Sequence, residues 1–258
     1  MSSVNLLTIL ILTALASPTP APAATPTPDP CGKDGHTAVL SAINRPTVGF
    51  SPCAIKPHEF LGEFGVQPER GTSDFVQIGQ GFMRFGEAPN VEVDVIGPAY
   101  QTQSAPVHAS GFADSGVGMK WEFAHSQSSA FGMDVLLTAP TGAAAFTAGV
   151  PTQTVNVDYS TSFGKFGVAS TIGALHTNAY SSLLPSVVVS NQWTDNAQWY
   201  AEAFAQTKTS ANTGALLGFD GGVQYMIAPQ LELDVEAGRT ISDVARERYV
   251  GVGVGVRL

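Results

Sequence analysis

The residues best suited to chemistry are carboxylates that recur at every second position. Glu232, Asp234 and Glu236 form one row, and Glu92 and Asp94 another. Successive side chains of an extended strand point to opposite faces, so this spacing gathers each row on one face. A face carrying one sign of charge concentrates counter-ions. Carboxylates are also Ca²⁺-type ligands, but a straight row is not a cage. His176 lies near Ser181 and Ser182, a pairing by proximity that could serve acyl transfer, though no local motif supports it. The other histidines (His36, His58, His108 and His125) are dispersed and fall mostly in connections. Cys31 and Cys53 have no further Cys or His at ligand spacing, so no metal site is expected. Gly251-x-Gly253-x-Gly255 ends where a nucleotide-binding helix would have to begin, and Gly79-x-Gly81 lacks a surrounding βαβ unit. No enzyme activity and no cofactor are expected.

These groups sit in a chain of unusual composition. Charged residues make up 13% of its 258 positions, against about 25% in an ordinary soluble domain. The hydrophobic fraction is 44% and the net charge −9. Its twelve Lys and Arg are scattered, which excludes a basic patch for nucleic acid. Val4 to Leu15 is apolar but too short to cross a bilayer as a helix. It ends in Ala14-Leu15-Ala16, a small-x-small cleavage site, so residues 1–16 read as a secretory signal peptide; cleavage after Ala23 or Ala24 is an alternative. Residues 17–30 form a Pro-rich linker, extended and unable to build a core. Residues 31–57 are expected as an N-terminal periplasmic segment, and whether the Cys31–Cys53 loop or the linker plugs the lumen stays open. In an exported chain its lone cysteine pair, Cys31 and Cys53, predicts one disulfide.

From residue 58 to 258 the chain keeps one rhythm. Twelve alternating segments, at 59–67, 74–86, 90–99, 113–124, 129–139, 152–162, 166–176, 184–193, 197–207, 215–227, 230–239 and 248–258, are separated by turn-formers. Short connections such as Gly164-Lys165 and Ala228-Pro229 alternate with longer ones, Gln101 to Phe112, Pro140 to Pro151 and Thr240 to Glu247. An even number of strands near ten residues long with this alternation predicts an all-β, antiparallel up-and-down transmembrane β-barrel, its short turns in the periplasm.

Parity then assigns the faces. The closing stretch sets Val250, Val252, Val254, Val256 and Leu258 against Tyr249, Gly251, Gly253, Gly255 and Arg257. A soluble barrel with its apolar face inward has the same period. Two features favour the membrane. Twelve strands enclose more space than Val and Ala can fill, since about eight already suffice. Trp121, Trp193 and Trp199 also flank proposed periplasmic turns, with Phe85, Phe123, Phe131, Phe163, Phe166 and Tyr225 nearby, as in an interfacial girdle. The lumen then receives Glu63, Glu92, Asp94, Glu122, Asp134, Asp158, Glu202, Asp220, Glu232, Asp234 and Glu236 against Arg84, Lys120 and Arg257. Segments 74–86 and 184–193 break parity, and a bulge is the expected reason.

Three stretches carry a family resemblance. Asn44-Arg45-Pro46, Ser51-Pro52 and Pro57-His58-Glu59-Phe60 with Gly65 form the first. Gly111 to Trp121 and Leu136 to Gly142 are the others. Together they resemble a bacterial outer-membrane family named for the MetA pathway of phenol degradation, over residues 42–258. Cys53, Asn44 and the closing Arg257-Leu258 depart from its pattern. The resemblance implies a transporter-like barrel whose partners are outer-membrane lipid, the barrel-insertion machinery and a small-molecule solute. With the acidic parity it predicts a channel favouring cations or neutral polar or aromatic molecules. A non-conducting structural barrel and a secreted soluble all-β binding protein are the alternatives.

Overall fold

A computed structural model of the chain describes residues 30–32, 37–79, 81–241 and 246–258. The expected signal peptide and all of the linker but Pro30 lie outside these residues. The strands are β1 (Phe60–Arg70), β2 (Asp74–Ile78), β3 (Gly81–Ala88), β4 (Val91–Gly97), β5 (Tyr100–Ala105), β6 (Ala109–Phe112), β7 (Ser115–His125) and β8 (Ser129–Ala139). They continue as β9 (Thr152–Phe163), β10 (Phe166–His176), β11 (Ser181–Thr194), β12 (Ala197–Gln206), β13 (Leu216–Ala228), β14 (Leu231–Thr240) and β15 (Arg248–Arg257). Every pairing is antiparallel. β15 closes on β1 from Leu61 opposite Arg257 to Arg70 opposite Arg248. The result is a closed barrel of twelve staves. Three staves are broken in two: β2 precedes β3, β5 follows β4, and β6 precedes β7, with β2, β5 and β6 pairing together toward one rim. No helix of the described residues is long and apolar enough to cross a membrane.

The two rims differ. One carries the end of β15, the start of β1 and the short turns. Asn90 (φ 66°) and Gly164 (φ 61°) take left-handed backbone in two of these turns, where Asn and Gly meet the least steric resistance. Register shifts next to four of them, at Gly86/Ala88, Glu122/Ala124, Gln192/Thr194 and Met226/Ala228, absorb one extra residue each. The opposite rim carries the longer loops.

Alternation sends the apolar residues outward. Val157, Ile172, Val187, Val235, Val250 and Val252 are exposed on the outer wall. Phe85, Trp121, Phe123, Phe131, Phe163, Phe166, Trp193 and Tyr225 are exposed near the turn rim, and Trp199 is half-exposed there. Several touch: the Trp121 and Phe123 rings are 5.5 Å apart, and Phe131 and Tyr159 are 4.6 Å apart. An outer surface this apolar, ending in an aromatic band, suits lipid rather than water.

Three sequence expectations are corrected. Gln101 to Phe112 is mostly not a loop: β5 and β6 extend two staves, leaving Pro106, Val107 and His108 at the tip. The broken parity of 74–86 is the break between β2 and β3 at Gly79 (φ 70°). The third concerns 184–193, which is regular across most of its length. Its inward residues are Leu184, Ser186, Val188, Ser190 and Gln192, and their lack of charge hid the alternation.

The outward face is the side on which a charge is costly. Val235, at mid-strand in β14, is 54% exposed. Val235→Arg should lower unfolding free energy in lipid vesicles by about 2–4 kcal/mol, and Val235→Leu should leave it nearly unchanged. Urea titration followed by gel mobility of unheated samples measures both.

Candidate functional site

The lumen is occupied. The segment expected as a periplasmic appendage, 31–57, runs inside the barrel wherever it is described. It enters through a short helix, α1 (Thr37–Ala42). Cys31 and Cys53 are disulfide-bonded, with Cα atoms 5.4 Å apart, and pack against Ala130 of the wall. Leu40, Ala42 and Ile55 form an apolar cluster with Leu61 and Met226 of the wall. The placement has a physical cause on each side. An irregular segment has main-chain N–H groups with no ladder partner. A wall rich in carboxylates supplies acceptors.

Four glutamates make the match. Glu63 Oε2 accepts from the main-chain N–H groups of Asn44 (2.9 Å) and Arg45 (2.7 Å). Glu202 accepts from Val48 and Gly49, each at 2.8 Å, one on each oxygen. Glu122 accepts from Ala54 at 3.0 Å and Glu92 from Ile55 at 2.8 Å. Hydrogen bonds to an ionised acceptor are roughly twice as strong as neutral ones. Thr171 accepts from the Phe50 N–H at 2.9 Å and donates to Asp158 at 2.6 Å.

Cations join both parts. Arg84, wholly buried, bonds Glu92 through Nε at 2.8 Å and Glu63 through Nη1 at 3.1 Å. It also donates to the carbonyls of Ala42 and, at 3.0 Å, Cys53. Lys120 donates to the Ser51 carbonyl and lies 3.6 Å from Asp134 and 3.8 Å from Glu92. Its ammonium stands 5.9 Å from the centre of the Phe50 ring. Arg45 of the inner segment reaches Asp234 (3.2 Å) and Glu236 (4.0 Å). Gln224 donates to the Arg45 carbonyl at 2.7 Å.

Glycine explains how Arg45 fits. A Cβ on Gly253 would stand 2.4 Å from Arg45 Nε, and one on Gly65 2.3 Å from Arg45 Cζ. The closing strand is bare on its inner face because the inner segment lies against it there.

All eleven wall carboxylates assigned to the lumen by parity are buried and face inward. Among the described residues, Asp94, Asp134 and Glu232 have no hydrogen-bond partner on either carboxylate oxygen, and Asp134 is met by Lys120 at 3.6 Å. Asp220 accepts from Tyr249 OH at 2.7 Å, and Tyr200 OH donates to Glu236 at 3.5 Å. Arg257 lies at the turn rim, paired with Glu59 at 2.7 Å. His176 and Ser181 meet at 2.9 Å on exposed positions near the loop rim. Gln153, not an acid, is the register neighbour of His176 on its other side. Cys31, Glu122 and His125 lie close together, but Cys31 is spent in the disulfide.

Two cavities among the described residues flank the inner segment. One, about 450 Å³, lies toward the loop rim and is lined by Glu63, Gln67, Gln101, Asp114 and Glu236 among others. The second, about 330 Å³, lies toward the turn rim between the inner segment and β9 to β12. Arg45, Thr47 and Phe50 line both, so they form the partition between them. Phe50 is braced edge-on against Phe82, 5.9 Å between ring centres. The sequence did not mark Arg45 or Phe50 as lumen residues. The available signals were the glycine row of the closing strand and the excess of wall acids over wall bases.

One family model, described as "Putative MetA-pathway of phenol degradation", matches residues 43–258. Among solved structures, the COG4313 outer membrane channel from Pseudomonas putida F1 superimposes with a TM-score of 0.64 at 13% identity, over 80% of this chain and 97% of that one. The KdgM porin gives 0.55 at 9% identity, over 75% and 98%. The NanC porin gives 0.54 at 10% identity, over 76% and 100%. These likenesses establish a shared barrel fold. No curated protein matches the chain significantly.

Arg84 ties Glu63, Glu92 and two inner-segment carbonyls at one point. Removing one partner of a buried pair leaves uncompensated charge, at about 3–5 kcal/mol. Arg84→Met should destabilise the folded barrel by about that amount, and adding Glu63→Gln and Glu92→Gln should recover most of it. Denaturant titration of the single and triple variants in one detergent checks the pair of outcomes.

Proposed function

The chain belongs to the MetA-pathway phenol-degradation family, and from that membership together with the filled barrel we propose that it is an outer-membrane channel for small solutes, narrowed by its own N-terminal segment. In this reading the signal peptide exports the chain, the insertion machinery places the barrel, and lipid meets the apolar belt. The short turns face the periplasm and the loops face outside. Support for passage comes from the two cavities. They lie on either side of the inner segment, and Arg45, Thr47 and Phe50 line both. Opening requires displacement of the inner segment, not rupture of the wall.

The charge balance supports a preference for cations and neutral polar molecules. Eleven buried carboxylates face inward. The buried cations that meet them are Arg45, Arg84 and Lys120. Four of the glutamates are engaged by inner-segment amides and Asp134 lies 3.6 Å from Lys120, so among the described residues the inward acids outnumber the buried cations. Fixed negative charge in a narrow low-dielectric passage raises the local cation concentration and repels anions.

Single-channel recording across a KCl gradient tests this reading. The expected reversal potential has the sign of potassium selectivity; a chloride-selective potential, or no conductance at all, contradicts it. Gly132→Ala supplies a second arm. A Cβ there would stand 2.5 Å from the Pro52 carbonyl oxygen, and so displaces the inner segment without altering charge. Its conductance should exceed that of the parent protein at least twofold.

A further inference from the structure

The cavity near the turn rim differs chemically from the rest of the lumen. Its wall is built by inward positions of β9, β11, β12 and β13: Ser160, Ser190, Gln192, Gln198 and Gln224. Among the described residues, none of the side chains lining it is a carboxylate. The remaining lumen wall, by contrast, holds eleven buried acids. Its two charged lining residues are Arg45, already held by Asp234 at 3.2 Å, and Lys165, in the short turn at the mouth.

We infer that this chamber is a binding site for a small, neutral, polyhydroxylated solute of about one sugar ring, taken up on the way through the channel. The inference rests on the channel reading and adds the class of solute to it. Charge decides the class. An ion leaving water loses several kcal/mol of solvation unless it is paired. A cation finds no lining carboxylate here, and an anion approaching Arg45 meets Asp234 and Glu236 behind it. Hydroxyl and carboxamide side chains both donate and accept, which matches a solute with many hydroxyl groups. The Ser160 hydroxyl is buried and has no hydrogen-bond partner among the described residues, so one such position is open. Phe50 and Tyr200 supply ring surface for the C–H face of such a molecule. At about 330 Å³ the chamber lies at the small end of ligand pockets.

The test uses the full chain in detergent, with saturation-transfer NMR of glucose, glucosamine and gluconate as probes. Glucose should bind saturably, with the two charged analogues at least tenfold weaker. Ser190→Val combined with Gln192→Leu should weaken glucose at least tenfold. Gln198→Glu should shift preference toward glucosamine, which keeps the test decisive if the double variant fails to fold. Absence of saturable glucose binding, equal binding of the charged analogues, or unchanged binding in the folded variants overturns the site. Ion conductance of the same preparation separates the two readings. Conductance without glucose binding removes the site and leaves the channel; glucose binding without conductance removes the channel and leaves the site.

Discussion

The structure depends on main-chain N–H groups of an inner segment bonding to carboxylates of the surrounding wall. Each side is unfavourable alone. Irregular backbone enclosed in a barrel loses water and gains no ladder. Carboxylates removed from water are costly unless something replaces their hydration. Six amides, at Asn44, Arg45, Val48, Gly49, Ala54 and Ile55, meet four glutamates, and both costs fall together. Asp234 adds a bond to the Arg45 side chain at 3.2 Å.

Shape follows from the same arrangement. Where the segment crosses the wall closely, the wall carries glycine: a Cβ on Gly86 would meet the Lys56 carbonyl oxygen at 1.8 Å, and one on Gly255 would meet Ile43 at 2.3 Å. The disulfide closes the segment into a loop seated on Ala130. Outside, the apolar belt leaves the barrel no need of an inner hydrophobic core. The interior is therefore free to be polar.

Much of this was legible in the sequence for a simple reason. A period of two survives in β9, β13, β14 and β15 because one face is apolar and the other carries acids, polar residues or, in β15, glycine. Those constraints act locally, residue by residue. β11 hid its alternation because Leu184 and Val188 face the interior with Ser186, Ser190 and Gln192. β5 and β6 read as a loop because Ser, Thr, Gln and Ala at 100–112 carry neither strong apolar nor strong charged alternation. The place of the inner segment stayed undecided for a different reason. Its fold comes from contacts far along the chain, such as Gly49 with Glu202 and Arg45 with Asp234, and no local period records them. The Pro and Gly that mark residues 31–57 as irregular are equally compatible with a free appendage. The eleven acids, read as the lining of a water-filled or partly plugged lumen, are buried, and four of them accept main-chain N–H groups of the segment.

Hydrogen exchange at individual amides tests this most directly. In the folded barrel, the N–H groups of Asn44, Arg45, Val48, Gly49, Ala54 and Ile55 should be protected to an extent approaching that of the strand amides. Glu202→Ala should release Val48 and Gly49 selectively, leaving Ala54 and Ile55 protected. Exchange of all six at the rates of an unstructured peptide, with the strands still protected, would contradict the account.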